Sequence, residues 1–379
     1  MQTTFRLGRV AGVEIGLNWS WLFIFALITW SLSESVFPDQ NPGLGHGTYL
    51  AMAVAAAVLF FAALLAHELG HAVQARREGM VIEGITLWLF GGVAKFKGKF
   101  PSAGAEFRIA IAGPLVTLVI GTGLVVMGRL AALPAALDGV VSWLGYINFF
   151  LLGFNLLPAL PLDGGRILRS ALWQARGDFP WATRIAADVG RGFGYLFIVA
   201  GLGLLLFTGA FGGAWLAFIG WFLLQAVGAE ARYVATEQAL AGLQVADLMT
   251  SMPVTVAPDL TLGMFMDQIA WSARHTTYPV VENGRPVGLL AFRGVAAVPR
   301  AEWGRKTVRD CMIPGDQVPV LAREDSAVDA LVALAGARVQ RAFVLDGGRL
   351  AGLLSISDLA RALEAPPPRR RASKSAWRS

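Results

Sequence analysis

Hydrophobic and polar positions divide the chain in two. Up to about residue 230, long uncharged apolar runs alternate with short polar segments. Six runs are long enough for a hydrocarbon core of roughly 30 Å, at about 16–33, 49–72, 107–128, 139–160, 193–209 and 213–229. The last two are separated only by a glycine-marked turn at Gly209, Gly212 and Gly213. Beyond residue 230 the pattern changes to short alternating strands, acidic residues and turn signals, as expected of a soluble α/β domain.

That second part repeats itself. Asp247-Leu248-Met249 matches Asp310-Cys311-Met312, and the stretch from Pro279 to Leu290 matches the stretch from Phe343 to Leu354. Two copies of one module are expected, at about 243–300 and 306–364 within a 243–364 unit. Asn283-Gly284 and Gly347-Gly348 predict tight hairpin turns. Residues 365–379, with Arg369-Arg370-Arg371, have no apolar period and read as a disordered basic tail.

Composition strengthens the membrane reading. The chain is 55% hydrophobic and 15% charged, against roughly 25% charged in soluble domains. The apolar run from Gly16 to Leu32 lacks a clear cleavage site and reads as an anchor. A single cysteine, Cys311, excludes an intramolecular disulfide. The net charge of +6 suits anionic headgroups better than nucleic acid, and no nucleic-acid partner is expected.

Loop charge sets an expected orientation. The segment from Ser33 to Thr48 has no Lys or Arg, whereas Arg76 to Arg108 carries Arg76, Arg77, Lys95, Lys97, Lys99 and Arg108. The stretch from Arg166 to Arg191 carries five arginines. Both termini and the repeat module are therefore expected in the cytoplasm, the protein being a multi-pass resident of the cell membrane.

The chemistry centres on His67-Glu68-Leu69-Gly70-His71, at the cytoplasmic end of the second run. Two His at i and i+4 share one helix face and can hold one Zn²⁺, with the Glu between them as general base on water. Catalytic zinc needs a third protein ligand. The other two His, His46 and His275, lie in the outer loop and the repeat unit, so a carboxylate is expected. Acidic residues are scarce in the membrane half, because a charge there is costly unless paired or metal-bound. Asp163 is the candidate. It follows Pro158 and Pro161, which break the helix, and precedes Gly164-Gly165. Irregular backbone at membrane depth is tolerated where it lines a cavity. A helix cap is the alternative role for Asp163, and Asn148 reads as structural.

His67-Glu68-Leu-Gly-His71 together with Asn155-Leu-Leu-Pro-Ala-Leu-Pro-Leu-Asp163-Gly-Gly resembles the site-2 protease family of intramembrane zinc metalloproteases, over roughly residues 1–230. The resemblance implies that His67, His71 and Asp163 bind zinc and that Glu68 is the base. It implies that Asn155 is the active-site Asn that helps hold substrate or oxyanion. Gly91-Gly92 resembles the family's membrane-associated hairpin, whose edge receives an unwound substrate. A buried structural amide and a plain turn are the alternatives for Asn155 and for the glycines.

The repeat resembles a tandem pair of cystathionine-β-synthase (CBS) domains. In that family a Gly-x-x-Ser/Thr-x-x-Asp stretch binds an adenine nucleotide. Gly352-Leu-Leu-Ser355-Ile-Ser-Asp358 fits, whereas the first copy has Ala291 and Gly294 at the polar positions. A plain helix start is the alternative for Ser355 and Asp358. Such pairs also form homodimers.

The expected fold is thus a polytopic α-helical membrane protein of about six transmembrane helices, with a C-terminal α/β CBS pair. The expected function is zinc-dependent hydrolysis of a peptide bond in or near a transmembrane segment of a membrane-bound regulatory protein, under nucleotide control. The segment from Arg76 to Arg108 is too short for an inserted PDZ domain. The rivals are a CBS-regulated transporter, against which the Glu between the two His argues, and a catalytically inactive membrane scaffold.

Overall fold

The computed structural model describes residues 4–10, 12–88, 91–97, 100–273 and 275–364. The basic tail from 365 and Lys99 lie outside them. The chain forms two compact units, Met1–Arg232 and Tyr233–Ser379.

The first unit opens with strands β1 (Phe5–Val10) and β2 (Val13–Leu17). Next come helix α1 (Ser20–Ser31), a π turn over Leu32–Val36, α2 (Phe37–Gln40) and the long α3 (His46–Arg77). Strands β3 (Val81–Trp88) and β4 (Gly91–Lys97) follow. Then come α4 (Ala103–Leu130), α5 (Ala135–Asn155), α6 (Asp163–Arg176), α7 (Phe179–Thr208) and α8 (Gly212–Leu240). Among the described residues, six stretches are long and apolar enough to cross a membrane: Ser20–Gln40, α3, α4, α5, α7 and α8. Only 17–33% of their most apolar windows is buried. Large apolar side chains such as Val199 and Phe207 point outward. A water-soluble bundle would hide that surface; lipid does not require it.

Interhelical contacts use small residues instead. Ala53, Ala56, Ala57, Ala72, Ala110, Gly113, Ala186 and Ala187 are fully buried or nearly so, which lets helices approach where no hydrophobic effect drives them together. At the end of α3, Arg108 binds Glu78 through two contacts of 2.7 and 2.8 Å, holding the Glu78 carboxyl below the usual range.

The expected element boundaries need three corrections. The fourth run stops at Asn155, not near 160, because Pro158 disfavours helix in the residue before it. The arginine-rich stretch after Asp163 is no loop: it forms α6 and the first turns of α7. The strongly amphipathic α6 places Arg169 and Ser170 in the core, and so lacks the uniform hydropathy that marks a span. The N-terminal hairpin was not expected, since β1 is exposed along its whole length and carries no alternation.

The hairpin completes a sheet of order β1-β2-β3-β4. β2 runs parallel to β3, with Ile15 beside Ile85. β3 pairs antiparallel with β4, Leu87 facing Gly92 and Trp88 facing Gly91. Val13 and Ile85 pack on Ala72, with Leu65 and Leu69 alongside. The sheet thus lies against the helix that bears His67 and His71, and β4 is an edge.

The second unit comprises α9 (Val245–Leu248), β5 (Thr250–Ser251), α10 (Leu262–Phe265), a π turn and α11 (Trp271–Ala273). It continues with β6 (Thr277–Glu282), β7 (Arg285–Ala291), α12 (Phe292–Ala296), α13 (Val308–Cys311) and β8 (Ile313–Pro314). The chain then forms β9 (Val320–Ala322), α14 (Ala327–Gly336), β10 (Arg341–Asp346), β11 (Arg349–Ser355) and α15 (Ile356–Glu364). Both expected hairpin turns form, with positive φ at Asn283-Gly284 and Gly347-Gly348. The copies are not independent, however. β5 of the first pairs with β11 of the second, and β8 of the second pairs with β7 of the first. Val245 is buried among Leu321, Leu354 and Leu359, and Val308 among Val256, Tyr278 and Leu290. Each repeat lends its leading segment to the other's core.

Candidate metal centre

α3 turns His67 and His71 to one side, as their spacing requires, with ring centroids 4.8 Å apart. The chain brings Asp163 to the same point from the first residue of α6. Asp163 Oδ2 is 3.2 Å from His67 Nε2, and its Oδ1 is 3.3 Å from His71 Nε2. The two Nε2 atoms are 3.1 Å apart. Both His are buried and Asp163 nearly so. Among the described residues this is the one cluster of His, Cys, Asp or Glu whose ligand atoms lie within 4.8 Å of one another. His46 instead starts α3, 3.8 Å from Glu34, and His275 belongs to the second unit.

The donor chemistry fits a cation. A carbonyl only accepts, so the 2.7 Å contact of His71 Nδ1 with the Ile109 carbonyl puts the ring proton on Nδ1. The lone pair of His71 Nε2 then faces the centre. His67 Nδ1 lies 2.8 Å from Thr117 Oγ1, a hydroxyl able to accept the ring proton in the same way. Asp163 Oδ2 is buried without a hydrogen-bond partner among the described residues. In neutral rings, imidazole lone pairs converging on a carboxylate repel unless a cation lies between them. Two His and one carboxylate form a usual catalytic zinc set.

Three features that sequence reasoning missed hold this arrangement, and all sit on α4. Thr117 and the Ile109 carbonyl orient the rings. Gly113 makes room: a Cβ there would lie 2.2 Å from His71 Nε2 and 2.8 Å from His67 Nε2. Ala112-Gly113-Pro114 in the third apolar run was the available signal, a small residue beside a proline inside a span. Thr117→Val should weaken zinc binding roughly tenfold, the lower end for loss of an outer-shell partner. Chelator competition reads this directly, and an unchanged affinity would remove Thr117 from the site.

The glycines beside Asp163 serve space rather than backbone freedom. A Cβ on Gly164 would meet the Leu156 and Leu157 carbonyls at 2.2 and 2.3 Å, and one on Gly165 the Leu160 nitrogen at 2.2 Å. The first turn of α6 therefore presses directly on the broken segment. Asn155 ends α5, half-buried, ahead of that segment. Asn148 is fully buried and donates to the Leu144 carbonyl.

The hairpin glycines have separate jobs. Gly91 adopts φ of +130°, where other residues are strained. Gly92 touches the proposed base: a Cβ there would lie 2.4 Å from Glu68 Cγ and 3.1 Å from Glu68 Oε1. Edge strand β4 thus starts against Glu68. Lys95 and Lys97 lie farther along β4.

Ser355 and Asp358 form a capping box at the start of α15. Ser355 N and Oγ both donate to Asp358 Oδ2, at 2.9 and 2.6 Å, and Asp358 N returns a bond to Ser355 Oγ. The equivalent position in the first copy, Ala291, has no side-chain cap.

Comparison with known proteins agrees with this chemistry. The model of peptidase family M50 matches residues 55–134 and 122–200, which include His67, Glu68, His71 and Asp163. The CBS domain model matches 245–298 and 308–365. A Mycobacterium tuberculosis relative, Rip3, is 38% identical over 96% of this chain and 94% of its own length. Zinc metalloprotease MJ0392 of Methanocaldococcus jannaschii is 32% identical over 96% of this chain and 97% of its own. The solved site-2 protease from Methanocaldococcus jannaschii is 30% identical, covers 60% of this chain and 95% of that one, and superposes with a TM-score of 0.43. With its converging His67, His71 and Asp163, six membrane-length helices among the described residues and tandem repeat, the chain belongs to peptidase family M50, the site-2 proteases, and is a zinc metalloprotease bearing a C-terminal CBS pair.

Proposed function

We propose that this protein cuts a peptide bond in or near a transmembrane segment of a membrane-tethered regulatory protein. The observation that carries the reading is the converging His67, His71 and Asp163 donors within a bundle whose outer surface is apolar. Those three residues would hold zinc, which when bound polarises a carbonyl and lowers the pKa of water. Glu68 accepts a proton from the attacking water. As the C–N bond breaks, Glu68 delivers that proton to the leaving nitrogen, so one carboxylate serves both halves of the reaction. Asn155 steadies the substrate or the developing oxyanion. A transmembrane helix keeps its scissile amides hydrogen-bonded internally, so the substrate must unwind first. The free edge of β4, starting at Gly91-Gly92 beside Glu68, then receives the released backbone. Loop charge supports a cytoplasmic opening to this site, with both termini and the CBS pair on that side.

The test is metal removal on the full-length protein in liposomes with a single-span substrate. Chelation should stop cleavage and zinc should restore it. Cleavage that survives exhaustive zinc removal would refute the reading.

We further propose regulation by an adenine nucleotide at Ser355 and Asp358, with the CBS pairs of two chains forming a dimer. The Asp358 carboxylate, partly buried in the first turn of α15 just beyond β11, supports the site; Ala291 and Gly294 argue for one competent cleft, not two. AMP, ADP and ATP titrated by calorimetry should show saturable binding that Asp358→Ala weakens. Ser355→Ala should also destabilise the module by about 1 kcal/mol through loss of the cap. No binding of any of the three to the wild type would end the regulatory proposal.

A further inference from the structure

Arg169 is the largest fully buried side chain among the described residues, at 1% exposure. Its surroundings are built, not incidental. Arg169 Nε donates to Glu106 Oε1 at 2.7 Å, and its other terminal nitrogen, Nη1, donates to Glu230 Oε1 at 2.9 Å. The Phe179 ring centroid lies 4.9 Å from the guanidinium carbon and the Phe100 centroid 6.0 Å, both within cation–π range. Glu106 is completely buried. So costly a group in a membrane protein calls for a role, and the proton transfers at Glu68 do not use it.

Its place in the chain supplies one. Arg169 and Asp163 lie on the same short helix, α6, six residues or roughly 9 Å apart along the axis. Glu106 lies on α4, one turn before Ile109, whose carbonyl orients His71, and on the helix that carries Thr117 and Gly113. Glu230 lies on α8. Over a 9 Å lever, a tilt of roughly 6° moves the end of a helix by about 1 Å. A metal site tolerates about 0.2 Å in its ligand distances. The loop before Asp163 lacks regular structure from Leu156 to Leu162 and cannot fix that tilt alone.

We propose that Arg169 is a positioning residue for the metal centre: clamped by Glu106 and Glu230, it fixes the tilt of α6 and so sets the Asp163 carboxylate against the two His. The inference rests on the zinc-site reading above.

Its test uses purified full-length protein, with zinc affinity measured by chelator competition, the visible spectrum of the cobalt-loaded protein, and kcat and KM kept separate. Arg169→Lys keeps the charge but loses the fork. Glu230→Gln keeps the shape, and Glu230 is 28% exposed, so this variant stays folded if Arg169→Lys does not. Each should raise the zinc dissociation constant roughly tenfold. Each should alter the cobalt spectrum and lower kcat with little change in KM, while the melting temperature of the metal-free Glu230→Gln protein stays near wild type. Unchanged zinc affinity and an unchanged cobalt spectrum in folded Glu230→Gln would overturn the inference. A wild type that binds no zinc would instead defeat the metal-site reading.

Discussion

Glu68→Gln should keep one zinc per chain and lose roughly 10²–10⁴-fold in peptide hydrolysis, the range for removing a general acid–base. The proposed ligands are His67, His71 and Asp163, whose donor atoms converge without help from Glu68. The amide of Gln nearly matches the carboxylate in shape, so the close packing of Glu68 on Gly92 survives the change. What disappears is the ability to take a proton from water and return it to the leaving nitrogen. Metal analysis and cleavage assays on the same preparation separate the two effects. A variant that binds zinc and still cleaves would mean that a group other than Glu68 takes the proton from water. The inactive variant should also accumulate its membrane partner, which makes it the tool for finding the natural substrate.

Gly113→Ala should abolish zinc binding altogether. The added methyl would sit 2.2 Å from His71 Nε2, 2.6 Å from His71 Cε1 and 2.8 Å from His67 Nε2. Neither ring can step aside without breaking its contact to the Ile109 carbonyl or to Thr117. Gly123 is the control, because it lies on the same helix with open space where its Cβ would stand. Gly123→Ala should bind one zinc per chain and cleave as wild type does. Zinc binding retained by Gly113→Ala would mean that the metal lies elsewhere.

The two His and Asp163 were legible because each obeys a local rule. The i, i+4 spacing fixes one helix face, and a lone carboxylate in a proline-broken apolar stretch has few other uses. Thr117 was not legible, and Gly113 was marked only by the proline beside it, since the importance of both arises when α4 crosses α3. Gly164 and Gly165 are needed for closeness to the Leu156–Leu160 backbone rather than for unusual φ, and that closeness appears only once the broken segment folds back on α6. The CBS repeat was evident from its internal match. The exchange of leading segments was not, because a strand such as β5 or β8 carries no signal about which copy it joins. α6 escaped notice for a physical reason too. A helix that buries an arginine between two carboxylates resembles a charged loop until its partners on α4 and α8 are known.

Hydrolysis at a site within the membrane domain is read from the position of the cut. Full-length protein and a single-span substrate, reconstituted together in liposomes with zinc, would be analysed by mass spectrometry of the products. One cut is expected within or at the margin of the substrate's apolar segment, absent with Glu68→Gln. Cleavage only in the substrate's water-exposed region, or the same products from Glu68→Gln, would contradict it.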